Sequence, residues 1–436
     1  MSMSIPRALL AALCLTSLIL AGCGKSSNSN QGNAQLRVVN AFSQANALDL
    51  SVNAKPVVSA LPFQANSQYS SIDTGSQIFI INVTGTSTAL ANTTYNVSSN
   101  TNYSYIVFGP QTAVGALLLP DSFNDPGDGF FSIRFINAAA GPGALDLYLT
   151  APGADLSATA PSFANIGYGT GSLFVPIVKG TTFEIRITLA GTKDVIYDGA
   201  AQTFAEHSGA SVVAFSKGSG KLVDVVLLRN DDAGSGALVE SVLTQYKMVN
   251  ASLAPSALNV LVDGSLQLSN IPYTGVSNYQ RTNAGSHNFS IEATTTPGAS
   301  LLNLITSLAA ATDTSIVLTG TSGALNALVL QDNNLPPPAA TANIRIVNSS
   351  ADVAAFDVFV NFSKQVSGLT TNSASPYFNL SAAGSTGTSY EFDFNLAGTT
   401  TSLLKLTSVV LTAGHTYTIY LAGPGSSLRG IVSQDN

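Results

Sequence analysis

The sequence predicts an all-β protein made of four tandem immunoglobulin-like antiparallel β-sandwich domains. Two observations lead to this fold class. A pair of strand-like motifs occurs four times along the chain, and the segments around it alternate apolar and polar residues, while no long segment has helical periodicity. At 436 residues the chain is also too long for one ordinary hydrophobic core, so several domains are expected.

The first element is a targeting segment. Arg7 precedes an apolar run at 8–20, which fits the hydrophobic region of a signal peptide and is short for a membrane span. The run ends in the residues LAGC at 20–23, which resemble the lipobox of bacterial lipoproteins. That resemblance implies removal of residues 1–22 and lipidation of Cys23. An ordinary secretory signal with an incidental cysteine is the alternative.

Lipidation would place the protein in the bacterial cell envelope, attached to the membrane through its N-terminal lipid. Gly24 follows the cysteine, whereas an Asp in that position of the lipoprotein pattern favours retention in the inner membrane. The outer membrane is therefore expected, with the periplasmic and the external face both open. Residues 23–34 are polar and predict a flexible tether. Cys14 lies in the removed segment, so the domains contain no disulfide.

The next elements are the repeats. The first motif contains an Asn, and the second contains an Asp or Asn nine residues after it in every copy. The first motif reads LRVVNA, IRFINA, YKMVNA and IRIVNS, and the second reads ALDL, ALDL, ALNV and AFDV. Each copy closes on an apolar strand, and we expect sandwiches at 35–122, 131–232, 243–333 and 342–436, joined by linkers near 122–130, 232–242 and 334–341.

The strands within each copy are predicted from alternation. FEIRITL at 183–189 and YEFDFNL at 390–396 place apolar side chains on one face and mostly polar ones on the other. This pattern is typical of half-buried antiparallel strands.

The two motifs together resemble a known family. A basic residue, two apolar residues, Asn, a short loop and then Ala-Leu-Asp-Leu are similar to the bacterial domain of unknown function 4397, over residues 35–436. The resemblance implies the sandwich architecture and an extracytoplasmic setting, and it supplies no catalytic residues. The third copy departs from the pattern with Lys247 and Asn259.

The charged positions of the two motifs are predicted to be structural. Alternation turns Asp49 away from the apolar face, so its carboxylate needs water or a partner. Arg37 is the candidate partner, through an ion pair, with Asx-type turn bonding as the other structural interpretation. A repeated ligand site is the alternative. The equivalent pairs are Arg134 with Asp146, Lys247 with Asn259, and Arg345 with Asp357.

Catalytic residues are sought next. His207, His287 and His415 occupy non-equivalent places and none has a second His or Cys at ligand spacing, so no zinc site is expected. Four carboxylates in the second copy are candidates for a glycosidase pair, although a solvated face and turns explain them as well. They are Glu184, Asp194, Asp198 and Glu206.

Two weaker candidates are binding sites. Acidic residues at the junctions offer oxygen ligands for calcium, with ordinary acidic turns as the alternative. They are Asp121, Asp125, Asp128, Asp231 and Asp232. The longer loop at 151–171 carries Phe163 and Tyr168, which are either contact residues for a ligand or packing residues.

The expected function follows from these elements. The formal net charge of −7 disfavours nucleic-acid binding. We predict a non-catalytic, lipid-anchored envelope rod for adhesion, for glycan or protein binding, or for scaffolding, without a cofactor other than the candidate calcium. A carbohydrate-active enzyme with one catalytic sandwich and a purely structural spacer are the alternatives.

Overall fold

The structure is a computed structural model and describes residues 32–109, 113–217, 222–253, 257–321 and 323–436. The predicted signal peptide and Cys23 lie outside the described residues. Within them the chain is nearly all β-strand, which confirms the predicted fold class. No helix among the described residues has the length and hydrophobicity needed to cross a membrane.

Sandwich 1 has eight strands. They are β1 (Ala34–Ala41), β2 (Ala47–Val52), β3 (Lys55–Pro62), β4 (Ser70–Ile72), β5 (Gly75–Val83), β6 (Ala89–Val97), β7 (Asn102–Phe108) and β8 (Gly115–Pro120). One sheet has the order β4-β1-β7-β8 and the other β3-β2-β5-β6. The two repeated motifs therefore lie in opposite sheets, since β1 carries the first and β2 the second.

Sandwich 2 has the same plan with additional strands. They are β9 (Phe130–Ala138), β10 (Leu145–Thr150), β11 (Phe163–Ile166), β12 (Thr170–Gly171), β13 (Val175–Val178), β14 (Glu184–Leu189), β15 (Val195–Asp198), β16 (Gly209–Ser216), β17 (Val223–Arg229) and β18 (Gly236–Val239). Its sheets are β11-β10-β14-β15 and β12-β9-β16-β17-β18, with β13 also on β9. The expected linker at 232–242 thus contains β18, which extends a sheet.

Sandwich 3 repeats the plan of sandwich 1. Its strands are β19 (Leu243–Asn250), β20 (Leu258–Val262), β21 (Ser265–Ile271), β22 (Gln280–Asn283), β23 (Gly285–Ala293), β24 (Ser300–Leu308), β25 (Asp313–Thr321) and β26 (Ala324–Asp332). The sheets have the orders β22-β19-β25-β26 and β21-β20-β23-β24.

Sandwich 4 completes the described chain. Its strands are β27 (Thr341–Ser350), β28 (Ala355–Val360), β29 (Ser363–Thr370), β30 (Ser373–Ala374), β31 (Phe378–Ser381), β32 (Thr388–Leu396), β33 (Ser402–Leu411), β34 (Thr416–Gly423) and β35 (Arg429–Gln434). One turn of 3-10 helix occupies Gly425–Ser427. The sheets are β30-β27-β34-β35, with β31 also on β27, and β29-β28-β32-β33.

Each sandwich contains one parallel pair among its antiparallel strands. The first strand runs parallel to a strand near the end of the unit: β1 to β7, β9 to β16, β19 to β25 and β27 to β34. A parallel pair needs a crossover connection, which the intervening strands of the other sheet supply. Alternation within a strand carries no signal for this pairing.

The Asn of the first motif joins the two sheets of its sandwich. Asn40 is fully buried in β1 and donates its side-chain amide to the carbonyl of Leu61 in β3, at 2.9 Å. Its Oδ1 accepts the backbone N–H of Phe42, at 3.1 Å. Asn137, Asn250 and Asn348 make the same two kinds of bond in their sandwiches. This repeated Asn is therefore a brace between sheets.

The first-motif sheets are buried on both faces. In β1, Leu36 and Val38 point into the sandwich core, whereas Val39 and Ala41 point outward and are still buried. The outward side chains of sandwich 1 pack against those of sandwich 2 in one apolar cluster. The buried members are Val39, Ala41, Ile106, Phe108, Ile136, Ala138, Val213, Phe215, Val226 and Leu228. We call these outward surfaces the pairing faces.

Sandwiches 3 and 4 pack together in the same way. The buried cluster between their pairing faces consists of Val249, Ala251, Val317, Val347, Tyr420, Ala422 and Ile431. Face-to-face packing of neighbours departs from the expected rod, in which sandwiches would follow one another end to end. The physical reason is that these sheets carry a second apolar face, which has to be covered.

Candidate functional site

The pairing faces contain buried cations, and these are the basic residues of the first motif. Arg134 of sandwich 2 donates its Nε to Ser211 at 2.7 Å and its Nη1 to the carbonyl of Pro120 at 2.7 Å. Its Nη2 donates to the carboxylate of Asp121. Pro120 and Asp121 close sandwich 1, so the arginine of one sandwich binds the last strand of its neighbour.

Arg345 of sandwich 4 makes the same bonds to sandwich 3. Nε contacts Thr418 at 3.3 Å, Nη1 donates to the carbonyl of Gln331 at 3.1 Å, and Nη2 donates to Asp332. The interaction is returned, because Lys247 of sandwich 3 donates to Asp435, which closes sandwich 4. Each sandwich of this pair thus supplies one cation and one carboxylate.

In the first pair, Arg37 of sandwich 1 makes the corresponding contacts to sandwich 2. Its Nη1 donates to the carbonyl of Arg229 at 2.6 Å and its Nη2 to the side-chain oxygen of Asn230 at 2.8 Å. Nη2 also lies 3.0 Å from Asp121. Asn230 occupies the place that a carboxylate fills in the other three sandwiches, so Asp121 alone neutralises two arginines.

An aromatic ring covers each of these cations. The rings lie between 4.6 and 5.0 Å from the charged groups of the four cations, within reach of a cation–π interaction. They are Tyr69, Phe174, Tyr279 and Tyr377. A serine two residues before each ring accepts a backbone N–H of the first-motif strand. The pattern Ser-x-aromatic recurs in all four copies, so comparing the copies could have found it.

Burial shapes the charges of this network. The side chains of Lys247 and Asp435 are 2% and 0% exposed. Burial opposes the charge of Lys247, but Tyr420, Asp435 and Asp332 raise its pKa above the ordinary value. The lysine is therefore held charged inside an apolar interface by the carboxylates of both sandwiches.

The predicted partner of Arg37 is wrong. Arg37 lies in β1 and faces sandwich 2, whereas Asp49 lies in β2 of the opposite sheet. Asp49 instead accepts the backbone N–H of Ala60 at 2.7 Å and the hydroxyl of Thr84 at 2.8 Å. The constant spacing of the two motifs reflects the connection between two strands in opposite sheets, and it does not place the two charged side chains in contact.

The Asp or Asn of the second motif holds a β-bulge in every sandwich. The residue that donates to it has a positive φ, between 51° and 62°. The four contacts are Ala60 to Asp49, Asn165 to Asp146, Asn270 to Asn259, and Gly368 to Asp357. The strand pairing shifts register at each of these places. These side chains therefore stabilise a kink in an edge strand.

The calcium candidates do not form one group. Asp121 lies in the pairing face between Arg37 and Arg134. Asp125 and Asp128 contact the two ring nitrogens of His207, at 2.7 and 3.1 Å. Asp231 accepts the backbone N–H of Ser235, and Asp232 is exposed. In the part of the chain that the structure describes, no three His, Cys, Asp or Glu residues are grouped to hold a metal ion.

The glycosidase candidates are also divided. Asp194 pairs with Arg281 of sandwich 3, and Glu206 pairs with Lys179 at 3.1 Å. Glu184 and Asp198 do meet: burial, followed by the charge of Glu184 and a hydrogen bond to it, raises the pKa of Asp198 to about 6. Glu184 is also engaged by the Nε of Arg186 at 3.3 Å and by the backbone N–H of Gly153 at 2.9 Å.

The two aromatic loop candidates both make packing contacts in the structure, and Tyr168 is partly exposed. Phe163 is buried in the core of sandwich 2. Tyr168 packs edge-on against Phe108 of sandwich 1, with ring centroids 5.5 Å apart. It thereby adds to the contact between the first two sandwiches.

Open clefts lie where sandwiches meet. A cleft of about 390 Å³ is lined by residues of sandwiches 1, 2 and 3, among them Gln64, Asp224 and Asp313. A second cleft, of about 640 Å³, lies beside Lys247 and Tyr279. Both volumes fall in the range of small-ligand sites.

Fold and buried network together define a class of protein: tandem two-sheet sandwiches that dock in pairs through reciprocal buried charges. Residues 34–148, 244–357 and 342–436 match the family model described as Domain of unknown function (DUF4397). The chain belongs to this family, which confirms the resemblance expected from the motifs. The matched segments leave out most of sandwich 2, where the additional strands occur.

Comparison with other proteins adds little. The chain has no match among the curated proteins. It is similar to a solved carbohydrate-binding module of family CBM26, from Eubacterium rectale Amy13K in complex with maltoheptaose, at 10% identity and a TM-score of 0.16, covering 42% of this chain and 92% of that one. It is also similar to the Bacillus anthracis TIE protein, at 10% identity and a TM-score of 0.15, covering 89% and 68%. At these scores neither similarity bears on function.

A first prediction concerns the buried pair of sandwiches 3 and 4. Lys247→Met leaves the carboxylate of Asp435 buried without its cation, which should lower the free energy of unfolding by about 3 to 5 kcal/mol. Lys55→Met removes an exposed pair, in which the lysine side chain is 74% exposed, and should cost about 1 kcal/mol or less. Urea unfolding measures both. Equal effects of the two substitutions would contradict the role assigned to Lys247.

A second prediction concerns Asp357. Lys364 and the backbone N–H groups of Gly368 and Gly398 lower the pKa of its carboxyl to about 2. A carboxyl whose folded pKa is depressed stabilises the fold above its unfolded pKa of about 3.9, and this contribution is lost as the pH falls through the folded pKa. Lys364→Met should therefore raise the pKa of Asp357, as followed by carbon NMR of labelled aspartate.

Lys405→Met is the matched control in the same sandwich, because Lys405 pairs with Glu391 at 2.9 Å. It should leave the pKa of Asp357 unchanged. An unchanged pKa of Asp357 in the Lys364→Met variant would show that the lysine does not hold this carboxylate.

Proposed function

We propose that this chain is a non-catalytic, lipid-anchored protein of the bacterial cell envelope that binds an envelope glycan or protein or serves as a scaffold. The observation that carries the proposal is that the repeated polar residues make structural contacts. The basic, aromatic and carboxylate side chains of the first-motif sheets hold sandwiches together, and those of the second motif hold bulges. The polar residues that recur in all four sandwiches therefore have structural roles.

The open clefts at the junctions between sandwiches support a binding role. The clefts at the junctions are built from loops and strand ends of different sandwiches, the places where sandwich proteins commonly bind ligands. Calcium at the junction aspartates is not part of the proposal, because Asp121 is engaged by two arginines.

The anchor and the location come from the sequence. The lipobox-like residues before Cys23 support lipidation, and Gly24 supports the outer membrane, on its periplasmic or its external side. One acyl chain binds a membrane only marginally, whereas several chains anchor durably. The partners proposed are the membrane, through this lipid, and an envelope glycan or protein; the acidic chain is not suited to nucleic acid.

A third prediction tests the anchor. Cys23→Ala should abolish incorporation of labelled fatty acid and shift the protein from the membrane to the soluble fraction. Cys14→Ala is the matched control, because this cysteine lies within the segment expected to be removed, and it should change neither readout. Labelled lipid in the Cys23→Ala protein would contradict the proposed anchoring residue.

A fourth prediction tests the binding role. The protein lacking residues 1–31, which retains every described residue, should bind saturably to isolated envelopes from cells that do not make it. Enzymatic removal of glycans and of proteins from the envelopes identifies the class of partner, and a chelator tests for a metal requirement. Binding no stronger than that of the unfolded chain would favour a purely structural spacer.

A further inference from the structure

The cleft between sandwiches 1, 2 and 3 is acidic. Among the described residues that line it, Asp224, Glu240 and Asp313 stand against a single lysine, Lys217, whose ammonium donates to the backbone carbonyl of Ala311. Asp332 also lines the cleft, but it is paired with Arg345. In the described part of this cleft, three carboxylates therefore share one neighbouring cation.

Two buried acceptors in the cleft have no hydrogen-bond partner in the part of the chain that the structure describes. Asp224 is 3% exposed; its Oδ2 accepts the side-chain amide of Gln64 at 2.7 Å, whereas its Oδ1 accepts nothing. Asn334 is 6% exposed and uses its amide to bind Asp313 at 2.7 Å, but its Oδ1 is also unpartnered. Leaving a buried acceptor unpaired costs free energy, more so when it is charged.

Asp224 also differs from the buried carboxylates that bind cations between the pairing faces. Asp121, Asp332 and Asp435 each contact a cation directly, and each recurs in the repeat. Counting six residues back from the closing Asp or Asn places Asp224 in sandwich 2, and Gly115, Asn326 and Arg429 in the other three. The acid is therefore not required by the sandwich plan.

We infer that this cleft is a binding site for an organic ammonium ion. An ammonium group would donate hydrogen bonds to the unpaired oxygens and would also supply a positive charge beside the carboxylates. The acidic groups come from separate strands and do not form a group suited to a metal ion among the described residues. The volume of about 390 Å³ admits an amine of small-molecule size.

This inference deepens the proposed binding function and rests on it. Free polyamines and amino sugars carry the same ammonium chemistry, and the two sources are separated by experiment. Because sandwiches 1, 2 and 3 all line the cleft, the bound amine would also connect them.

The fifth prediction is tested by calorimetric titration of the protein lacking residues 1–31. Spermidine and glucosamine are the two amine probes, and N-acetylglucosamine, which has no ammonium group, is the neutral probe. Saturable binding of one amine, with no binding of the neutral sugar, is the expected result. Asp224→Asn and the exposed Glu240→Gln should each weaken it about tenfold or more, the effect of losing one favourable charge contact.

Asp232→Asn is the matched control, because it removes an exposed carboxylate of the same sandwich outside the cleft lining. It should leave the affinity unchanged. Binding should also weaken between about pH 7.5 and pH 5.5. Burial, together with the charges of Asp313 and Glu240 and against the opposing charge of Lys217, raises the pKa of Asp224 to about 6, so acid neutralises the carboxylate.

Three results would overturn the inference. These are no saturable binding of either amine at pH 7.5, equal binding by the Asp224→Asn protein, and displacement of the amine by calcium at equal concentration. Envelope binding that persists in the Asp224→Asn variant would remove the cleft from the mechanism and leave the proposed envelope role intact. Absence of envelope binding by the folded protein lacking residues 1–31, with its amine binding retained, would overturn the proposed envelope role and leave the amine site intact.

Discussion

The structure depends on the buried cation that each sandwich inserts toward its neighbour, at the end of strand β8, β17, β26 or β35. A guanidinium or ammonium inside an apolar interface is tolerated only when its charge and its N–H groups are matched. Arg134 meets this condition only where the carbonyl of Pro120 and the carboxylate of Asp121 are both in reach. The apolar pairing faces supply the attraction between sandwiches, and the cation sets the register in which they dock.

The two pairs satisfy the same constraint with different charges. Sandwiches 3 and 4 exchange two cations for two carboxylates, whereas sandwiches 1 and 2 place two arginines around Asp121 and use Asn230 for the remaining contact. A backbone carbonyl accepts from Arg37 in addition, so part of its charge is met by dipoles. Asp121 consequently contacts two buried cations in the first pair, whereas Asp332 and Asp435 each contact one in the second pair.

Alternation along the chain was enough to predict the sandwiches, since it reports which side chains of one strand share a face. It could not predict the partners of Arg37 and Asp49, because distance along the chain does not reveal that their strands belong to opposite sheets. A signal for the pairing faces was nevertheless present. The segments ALLLP at 116–120 and VVLL at 225–228 are continuously apolar, which is typical of strands buried on both faces.

The repeat pattern could not predict the candidate ligand site, for a related reason. Comparing four copies reveals what every sandwich needs, and in this chain those residues brace sheets, hold bulges and dock neighbours. Asp224, Glu240 and Lys217 come from sandwich 2 alone and meet Asp313 only because sandwich 3 packs beside it. A site assembled from unrepeated residues of different sandwiches leaves no local motif, so chemistry specific to this chain is to be sought where the copies differ and where they meet.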